Sequence, residues 1–393
     1  MSLVRLDTVC KINNGYAFKS EDYKNEGIPL LRISNFNNGE VFIDDKTIYV
    51  DKKYLNSKAD FIVEKGDILI ALSGATTGKF GIYNYDYPSL LNQRIGLLKS
   101  GKSEKMFGKF FYHYLSILKD EILRKAGGAA QPNISTKTIG EFQIPLPPLA
   151  TQQKIAAILD AADELRQKDK ALVAKYDELT QALFLDMFGD PVTNPKGWEI
   201  SDLGELTHMI TDGKHGNCND ETDSGYYFIS AKDIFDENIN YQGTRQIPKI
   251  EFEEVDRRTN LQPGDLVMVN TGATIGKLAI VRDQPETRRT TFQKSVAVIK
   301  PKEEKILSQY LKYVFILRLN SFSGKGTGSA IQNLLLSEMR RFRITTPPIK
   351  LQDQFAERVK AIEEQKSIAQ ASALKSEELF NSLLQKAFTG ELV

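Results

Sequence analysis

GDILIALSGATTGKFGIY, from Gly66 to Tyr83, returns as GDLVMVNTGATIGKLAIV, from Gly264 to Val281, with eight of 18 positions identical. Around this pair the match widens. Residues 27–83 align with 225–281 at an offset of 198, and residues 131–190 with 331–390 at an offset of 200, both without a gap. A period near 200 is far above the roughly 20–50 residues of a solenoid repeat. The chain therefore reads as a tandem of two whole modules. Each copy closes on a Pro-Pro pair, Pro147-Pro148 or Pro347-Pro348, and enters a long heptad-like segment without proline. The expected boundaries are a domain over 1–148, a helical region over 149–190, a second domain over 191–346 and a second helical region over 347–393.

Composition narrows the class. With 393 residues, 41% hydrophobic and 26% charged, the chain has the make-up of a soluble protein. No run approaches the ~18 apolar residues of a membrane span, and MSLVRLDTVCKINNG carries no signal-peptide core. Cys10 and Cys218 do not correspond across the copies, so neither a disulfide framework nor a cysteine metal site is expected. The expected compartment is the cytoplasm. Net charge is only +1, but the cations cluster. Arg288, Arg289, Lys294, Lys300 and Lys302 fall in one acid-free stretch, and Arg94, Lys99 and Lys102 fall in its counterpart. Arg340, Arg341 and Arg343 form a third group. Such runs suit a solvated face or a phosphate-facing surface, and the repetition strengthens the second reading.

Each globular module reads as α+β. Amphipathic starts at Leu3–Ile12 and Leu203–Ile210 lead through polar loops into short strands, Ile28–Ile33 with Thr47–Val50, and Tyr226–Ala231 with Arg245–Pro248. Continuous apolar runs at Asp67–Leu72 and Asp265–Asn270 predict buried strands that turn at glycines into Phe80–Tyr83 and Leu278–Val281. Helices follow at Glu104–Lys125, with Phe107, Phe111, Tyr114, Leu115 and Leu118 on the apolar side, and at Ile306–Phe322. Glycine loops (Gly127-Gly128; Gly324, Gly326, Gly328) come next, and Asn133 or Ser135 is placed to cap a short helix. Beyond Pro-Pro, Ile155, Ile158, Ala162 and Leu165 form a stripe that Leu172, Tyr176, Leu179 and Leu183 resume. Phe355, Val359, Ile362, Ala369, Ala373, Leu379 and Leu383 form a looser one. A helix from Ala150 to Phe188 would run roughly 58 Å and cannot stand alone with one apolar seam. The two are expected to pair as an antiparallel coiled coil, with one domain at each end and a pseudo-two-fold axis within one chain.

The glycine turn carries the binding candidates. Gly74-Ala-Thr-Thr-Gly78-Lys79 has three residues between Gly and Gly-Lys where a phosphate-binding P-loop needs four, and a strand follows instead of a helix. An NTPase is disfavoured. Small hydroxyls and a lysine on such a turn suit a nucleic-acid backbone, while the same glycines also suit packing alone. The candidates for DNA contact are Ser73, Thr76, Lys79, Gln93 and Arg94, with Thr271, Thr274, Lys277, Gln293 and Lys294 in the second copy; Arg94 is aligned with Lys294. Specificity is expected where the copies diverge, in 13–26 and 34–60 and in 211–224 and 232–258. His113, His208 and His215 do not correspond, no metal-ligand spacing occurs, and no glycine fingerprint of an adenosylmethionine or dinucleotide site is present. The Asn-Pro-Pro-aromatic element of amino-methyltransferases is missing as well, since Asn194-Pro195 runs into Lys196-Gly197-Trp198. A stand-alone methyltransferase or nucleotide-binding enzyme is thus the disfavoured alternative.

Taken in order, the double GDxLxxxxxGATxGK element, IPLPPLATQQKIAAILD (Ile144–Asp160) and MFGDPVTNPKGW (Met187–Trp198) resemble the specificity (S) subunit of type I restriction–modification systems, the HsdS family. The resemblance spans essentially the whole chain. The second copy's ITTPPIKLQDQF is less regular than the first copy's IPLPPLATQQKI. The resemblance implies two target recognition domains, each reading half of a bipartite double-stranded DNA sequence. It also implies helices that space the domains and bind two methyltransferase (M) subunits, with restriction (R) subunits joining that complex in phage defence. The family is non-catalytic; adenosylmethionine, ATP and magnesium belong to the partner subunits, and this chain is expected to hold no cofactor.

Overall fold

The first two residues of the repeated stretch explain why it folds as it does. Gly66 and Gly264 hold φ of +87° and +91°, a left-handed conformation that side chains resist. Their N–H groups donate to Tyr83 O and Val281 O at 2.8 and 2.9 Å. The residue that follows, Asp67 or Asp265, accepts from the backbone N–H of Glu64 or Gln262, each at 2.8 Å. Each Asp also pairs with a lysine of a neighbouring strand, Lys99 or Lys300. Burial raises the pKa of both carboxyls, and the lysines oppose that shift. The conserved Gly-Asp is thus a turn lock.

The structure, a computed structural model, describes residues 2–37, 39–100, 104–127, 132–272, 274–323 and 333–392. The chain divides into two compact units, Met1–Lys170 with Gln370–Val393, and Ala171–Ala369. In unit 1 the strands are β1 (Leu3–Arg5), β2 (Lys11–Asn14), β3 (Ile28–Leu31), β4 (Phe36–Asn37), β5 (Glu40–Val41) and β6 (Ile48–Val50). They continue with β7 (Ile62–Val63), β8 (Ile68–Ala71), β9 (Phe80–Ile82), β10 (Ser89–Leu91), β11 (Ile95–Lys99) and β12 (Gln143–Pro145). The helices are α1 (Tyr54–Ser57), α2 (Gly108–Lys125) and α3 (Thr136–Gly140). One sheet runs β2-β11-β8-β9-β5-β4 and another β6-β3-β10-β7. β8 is antiparallel to both neighbours, with Ala71 opposite Ile95 and Ile68 opposite Ile82. All four β8 residues are buried, as the continuous apolar run requires. Ser135 caps α3, accepting from Thr138 N–H at 3.0 Å, while Asn133 does not cap it.

Unit 2 repeats the scheme. Its strands are β13 (Ile200–Asp202), β14 (Thr207–Asp212), β15 (Tyr227–Ile229), β16 (Ile234–Phe235), β17 (Asn238–Ile239), β18 (Leu266–Val269), β19 (Leu278–Ile280), β20 (Thr290–Phe292), β21 (Val296–Pro301) and β22 (Arg343–Thr345). The central sheet runs β14-β21-β18-β19. Arg245–Pro248, read as a strand, makes only a bridge from Gln246 to Tyr227, because Pro248 opens a helix (Lys249–Thr259). That helix buries Phe252, Val255 and Thr259, with Glu251 in its first turn and Arg257 and Arg258 in its last, as the helix dipole favours. The amphipathic starts also split. Leu3–Ile12 forms two short strands around a 3-10 turn, and Leu203–Ile210 forms one helical turn before β14.

The long segments are helices, Leu149–Phe188 and Ile349–Thr389. Their buried faces overlap the predicted stripes in part: Ile155, Ala162, Phe355, Val359 and Ala369 are buried as read. Unit 1 buries Ile155, Ala156, Leu159 and Ala162, together with Phe380 and Ala387, against Phe110, Phe111 and Leu115. Ile158, Leu165, Leu172 and Leu179, read as seam positions, are exposed. Unit 2 buries Phe184, Met187 and Phe188 with Phe355 and Val359. Likewise α2 presents Phe110, Phe111, Leu115, Leu118 and Ile122 to the core, whereas Phe107 precedes the helix as its cap. The first stripe drifted because it followed aliphatic identity, whereas buried Ala156, Leu159 and Phe184 keep the helical period.

One buried amide ties each globular part to its helix. Gln152 Nε2 donates to Lys105 O and Pro147 O, both at 2.8 Å, and its Oε1 accepts from Phe107 N–H at 2.8 Å. Gln352 does the same with Lys305 O (3.3 Å), Pro347 O (2.8 Å) and Leu307 N–H (2.9 Å). Both side chains are 0% exposed.

Candidate nucleic-acid interface

At one end of each central sheet, three loops are laced together by main-chain bonds. In unit 1, Leu72 N–H donates to Arg94 O (3.0 Å) and Leu72 O accepts from Ile134 N–H (2.9 Å). This joins the turn after β8 to the turn after β10 and to the loop before α3. Ser73 adds a bridge to Asn133. A fourth segment enters at Gly15-Tyr16, where Tyr16 N–H donates to Leu91 O at 2.8 Å. A Cβ on Gly15 would lie 2.0 Å from Asn92 O, so only glycine permits the approach. Unit 2 repeats every element. Asn270 N–H donates to Ser295 O (2.9 Å), Leu334 N–H to Asn270 O (2.8 Å) and Lys214 N–H to Phe292 O (2.7 Å). Thr271 Oγ1 donates to Asn333 Oδ1 at 2.9 Å.

These bonds correct the residue pairing between copies. Tyr16 bridges Asn92 and Lys214 bridges Gln293. Arg94 O and Ser295 O then accept from equivalent residues. Asn92 therefore matches Gln293, Gln93 matches Lys294, and Arg94 matches Ser295. The alignment at an offset of 200 is shifted by one here because the preceding loops differ in length.

Of the predicted residues, Lys79, Gln93, Arg94, Thr274, Lys277 and Lys294 are exposed on these turns, and Ser73, Thr76, Thr271 and Gln293 are half-buried. Thr271 and Lys294 meet in one cleft of about 250 Å³ in unit 2, with Asp212, His215, Asn270 and Asn333. Lys79 turns to a different cleft, beside Tyr112, Lys119 and Arg166 of unit 1. The hydroxyl that stabilises the first turn belongs to Thr77, which donates to Gly74 O (2.7 Å) and Pro132 O (2.9 Å). The basic clusters separate into two kinds. Lys99 and Lys300 are held by Asp67 and Asp265, Lys302 donates to Glu205 O (3.0 Å), and Arg340 donates to Ile210 O (2.7 Å). These are structural. Lys102, Gly128, Gly324, Gly326 and Gly328 lie outside the described residues.

The sequence reading missed several groups at the unit 2 cleft. His215 Nε2 lies 3.0 Å from Asp212 Oδ2, and Arg258 Nη1 reaches Asp212 Oδ1 at 3.1 Å. Asn270 is buried; its Nδ2 donates to Leu334 O at 3.3 Å and its Oδ1 has no hydrogen-bond partner among the described residues, where unit 1 has Leu72. Polar residues of this kind in divergent loops carry no periodicity, so only the paired Gly15 and Gly213 marked the place. Among the described residues, no group of three or more His, Cys, Asp or Glu is arranged to hold a metal ion, and no helix is long and apolar enough to cross a membrane.

Comparison with known proteins adds the family. The model described as type I restriction modification DNA specificity domain matches residues 1–174 and again 195–375. The EcoBI specificity subunit of Escherichia coli is 24% identical across 99% of this chain and 85% of its own length. The MjaVIII specificity subunit of Methanocaldococcus jannaschii is 32% identical across 47% of this chain and 45% of its own. Among solved structures, the S subunit of a type I restriction–modification system from M. genitalium superposes with a TM-score of 0.58 at 14% identity, covering 98% of this chain and 96% of that one. A chain from a structure of type I system assembly and conformational transition gives 0.55 at 17% identity, covering 100% and 98%. These last two show the mixed α/β fold.

Proposed function

Because the chain belongs to the type I restriction–modification DNA specificity family, we propose that it is the non-catalytic subunit that reads the target for such a complex. Each globular domain reads one half of a bipartite double-stranded DNA sequence. The helices Leu149–Phe188 and Ile349–Thr389 pair as an antiparallel coiled coil, give the chain a pseudo-two-fold axis and dock two M subunits, through which R subunits join. Adenosylmethionine, ATP and magnesium act on those partners.

The observation that carries this reading is the duplicated loop cluster, built by the same main-chain bonds in each unit and crowned by exposed Lys79 and Arg94 or Lys277 and Lys294. Cations on a rigid scaffold suit a phosphate backbone, while divergent neighbours supply sequence choice. Ser73, Thr76 and Gln93, with Thr271, Thr274 and Gln293, are the hydrogen-bonding members of the same surface. Antiparallel pairing has support inside each unit. In unit 1, Arg166 bonds Glu377 (2.8 Å) and Asp169 accepts from Ser372 (3.2 Å), so numbering rises on one helix as it falls on the other. In unit 2, Lys366 pairs with Asp177 (2.6 Å) and Phe188 packs on Phe355.

Titration of the chain, with its M subunits, against target DNA at several salt concentrations tests the reading. Lys277→Ala should weaken binding alike for all sequences and lower the salt slope by about one. An unchanged slope would return Lys277 to the solvated surface.

A further inference from the structure

We infer that the cleft in unit 1 lined by Lys79, Lys119 and Arg166 binds a nucleoside phosphate, held by its ring on one wall and its phosphate on the other. The cleft has a volume of about 480 Å³, within the roughly 300–1,000 Å³ of small-ligand sites. No acid is among its described lining residues. Arg166 is held by two carboxylates, Asp163 at 2.5 Å and Glu377 at 2.8 Å, and stacks 3.9 Å above Phe380, so the free positive charge of the cleft is that of the two lysines. Lys79 and Lys119 are exposed and have no ion pair among the described residues. The other wall is aromatic, with Phe36, and with Phe80 edge-on to Tyr112 at 5.4 Å between centroids.

Comparison of the two copies shows what this arrangement lacks. At the place of Tyr112, unit 2 has Lys312, which is buried and paired with Glu237 and with Glu363 (3.4 Å). At the place of Arg166 it has Lys366, paired with Asp177 at 2.6 Å as Arg166 is with Glu377, so this pair is common to both copies and the difference lies at Tyr112 and Gly39. Glu237 occupies the position of Gly39, and it does so at φ +56°, a conformation costly for a residue with a side chain. Unit 2 thus brings its own carboxylate to its own lysine. In unit 1 that carboxylate has no room. A Cβ on Gly39 would lie 2.4 Å from Tyr112 Oη, which donates to Gly39 O at 3.2 Å. Phe36 and Phe80 stand where unit 2 has Ile234 and Leu278. Unit 2 pairs Lys312 and Lys366 in an aliphatic setting; unit 1 pairs Arg166 but leaves Lys79 and Lys119 without an ion pair among the described residues, beside an aromatic wall. An anion carrying a flat ring, supplied from outside the chain, satisfies both differences at once. Phosphate meets Lys79 and Lys119, and a base stacks on the Phe36–Phe80 wall, where stacking tolerates any base.

The ligand is either a free nucleotide or one unit of a single strand. Calorimetric titration of the full chain with adenosine 5′-monophosphate, adenosine, inorganic phosphate and a short single-stranded oligonucleotide separates these. Saturable binding of the monophosphate, tighter than adenosine or phosphate, is expected. Lys119→Gln should weaken it about tenfold, and Phe80→Leu should weaken it while leaving phosphate binding unchanged. Both variants should melt as the parent does, since Lys119 is exposed and Phe80 is only half-buried. An oligonucleotide that binds more tightly, and is displaced by the monophosphate, identifies a strand as the source. Monophosphate binding without oligonucleotide binding identifies the free nucleotide. Phosphate binding as tightly as the nucleotide, no saturable binding, or affinities untouched by Lys119→Gln would each overturn the assignment. Lys79 is shared with the proposed DNA-reading surface, but neither Lys119 nor Phe80 belongs to it, so these variants test the nucleotide site without altering that surface.

Discussion

Replacing Gln352 with leucine keeps the volume of the side chain and removes its three hydrogen bonds. Leu307 N–H, Lys305 O and Pro347 O lose their buried partner together. A buried group left unsatisfied costs about 1–3 kcal/mol. The 3.3 Å bond to Lys305 O is the weakest of the three, so the loss sums to roughly 3–5 kcal/mol. For a unit of this size each kcal/mol moves the melting midpoint by about 2–4 °C, giving a fall on the order of 10 °C. The chain has one tryptophan, Trp198, which lies in unit 2 and donates from Nε1 to Phe188 O at 2.8 Å. Its fluorescence during urea unfolding therefore reports the affected unit. Gln352→Glu refines the test. A carboxylate facing two carbonyls has its pKa raised in the folded state. Stability should then be retained below the unfolded pKa of ~4.3 and lost as pH rises through the folded value. A leucine variant that loses less than about 1 kcal/mol, or a glutamate variant indifferent to pH, would refute the reasoning.

Asn270→Leu, which installs the residue found at the equivalent place in unit 1, removes the unpartnered Oδ1 together with the long 3.3 Å bond from Nδ2 to Leu334 O, and should raise the Trp198-monitored stability by up to about 1 kcal/mol; a loss would mean that Oδ1 has a partner in solution. Burial lowers the pKa of His113, with Asp160 at 2.8 Å opposing. Its folded value lies below the ordinary ~6.5, so unit 1 should lose stability as pH falls from 7 to 5. Circular dichroism melts should show that dependence diminished in His113→Gln, and an undiminished slope would assign it elsewhere. Four residues inserted after Leu165, matched by four before Glu377, lengthen a helical spacer by about 6 Å, nearly two base-pair steps. Methylome sequencing of cells carrying the variant with its M and R subunits should then find both half-sites kept and the gap longer; altered half-sites would end the ruler model.

The repeat, the α+β class, the buried strands and both long helices were legible in the sequence because each rests on period or on a forced backbone. Gly66 and Gly264 illustrate this: one conformation, two copies, the same bonds. Faces were harder to read. Ile158 and Leu165 had the spacing of a seam, but Ala156, Leu159 and Phe380 are what packing buries beside Ile155 and Ala162, since hydrophobic identity alone cannot set the rotation of a helix. The glycine turns that carry the candidates were legible as turns, while the match of Arg94 to Lys294 slipped by one because an ungapped alignment cannot detect a loop that gains a residue. Asp212, His215 and Arg258 went unnoticed because polar residues in irregular loops show their partners only in three dimensions.

Gln152 and Gln352 also bear on how such a chain changes over generations. Everything each glutamine grasps is main chain, two carbonyls and one amide, so the bond is blind to the side chains around it. A globular module with the same backbone at its border makes the same three bonds whatever its loops recognise. The border is a socket of one gauge, used twice. What a substituted module must still match is the apolar face, where Ile155, Ala156 and Leu159 meet Phe110, Phe111 and Leu115, while its loops stay free to differ.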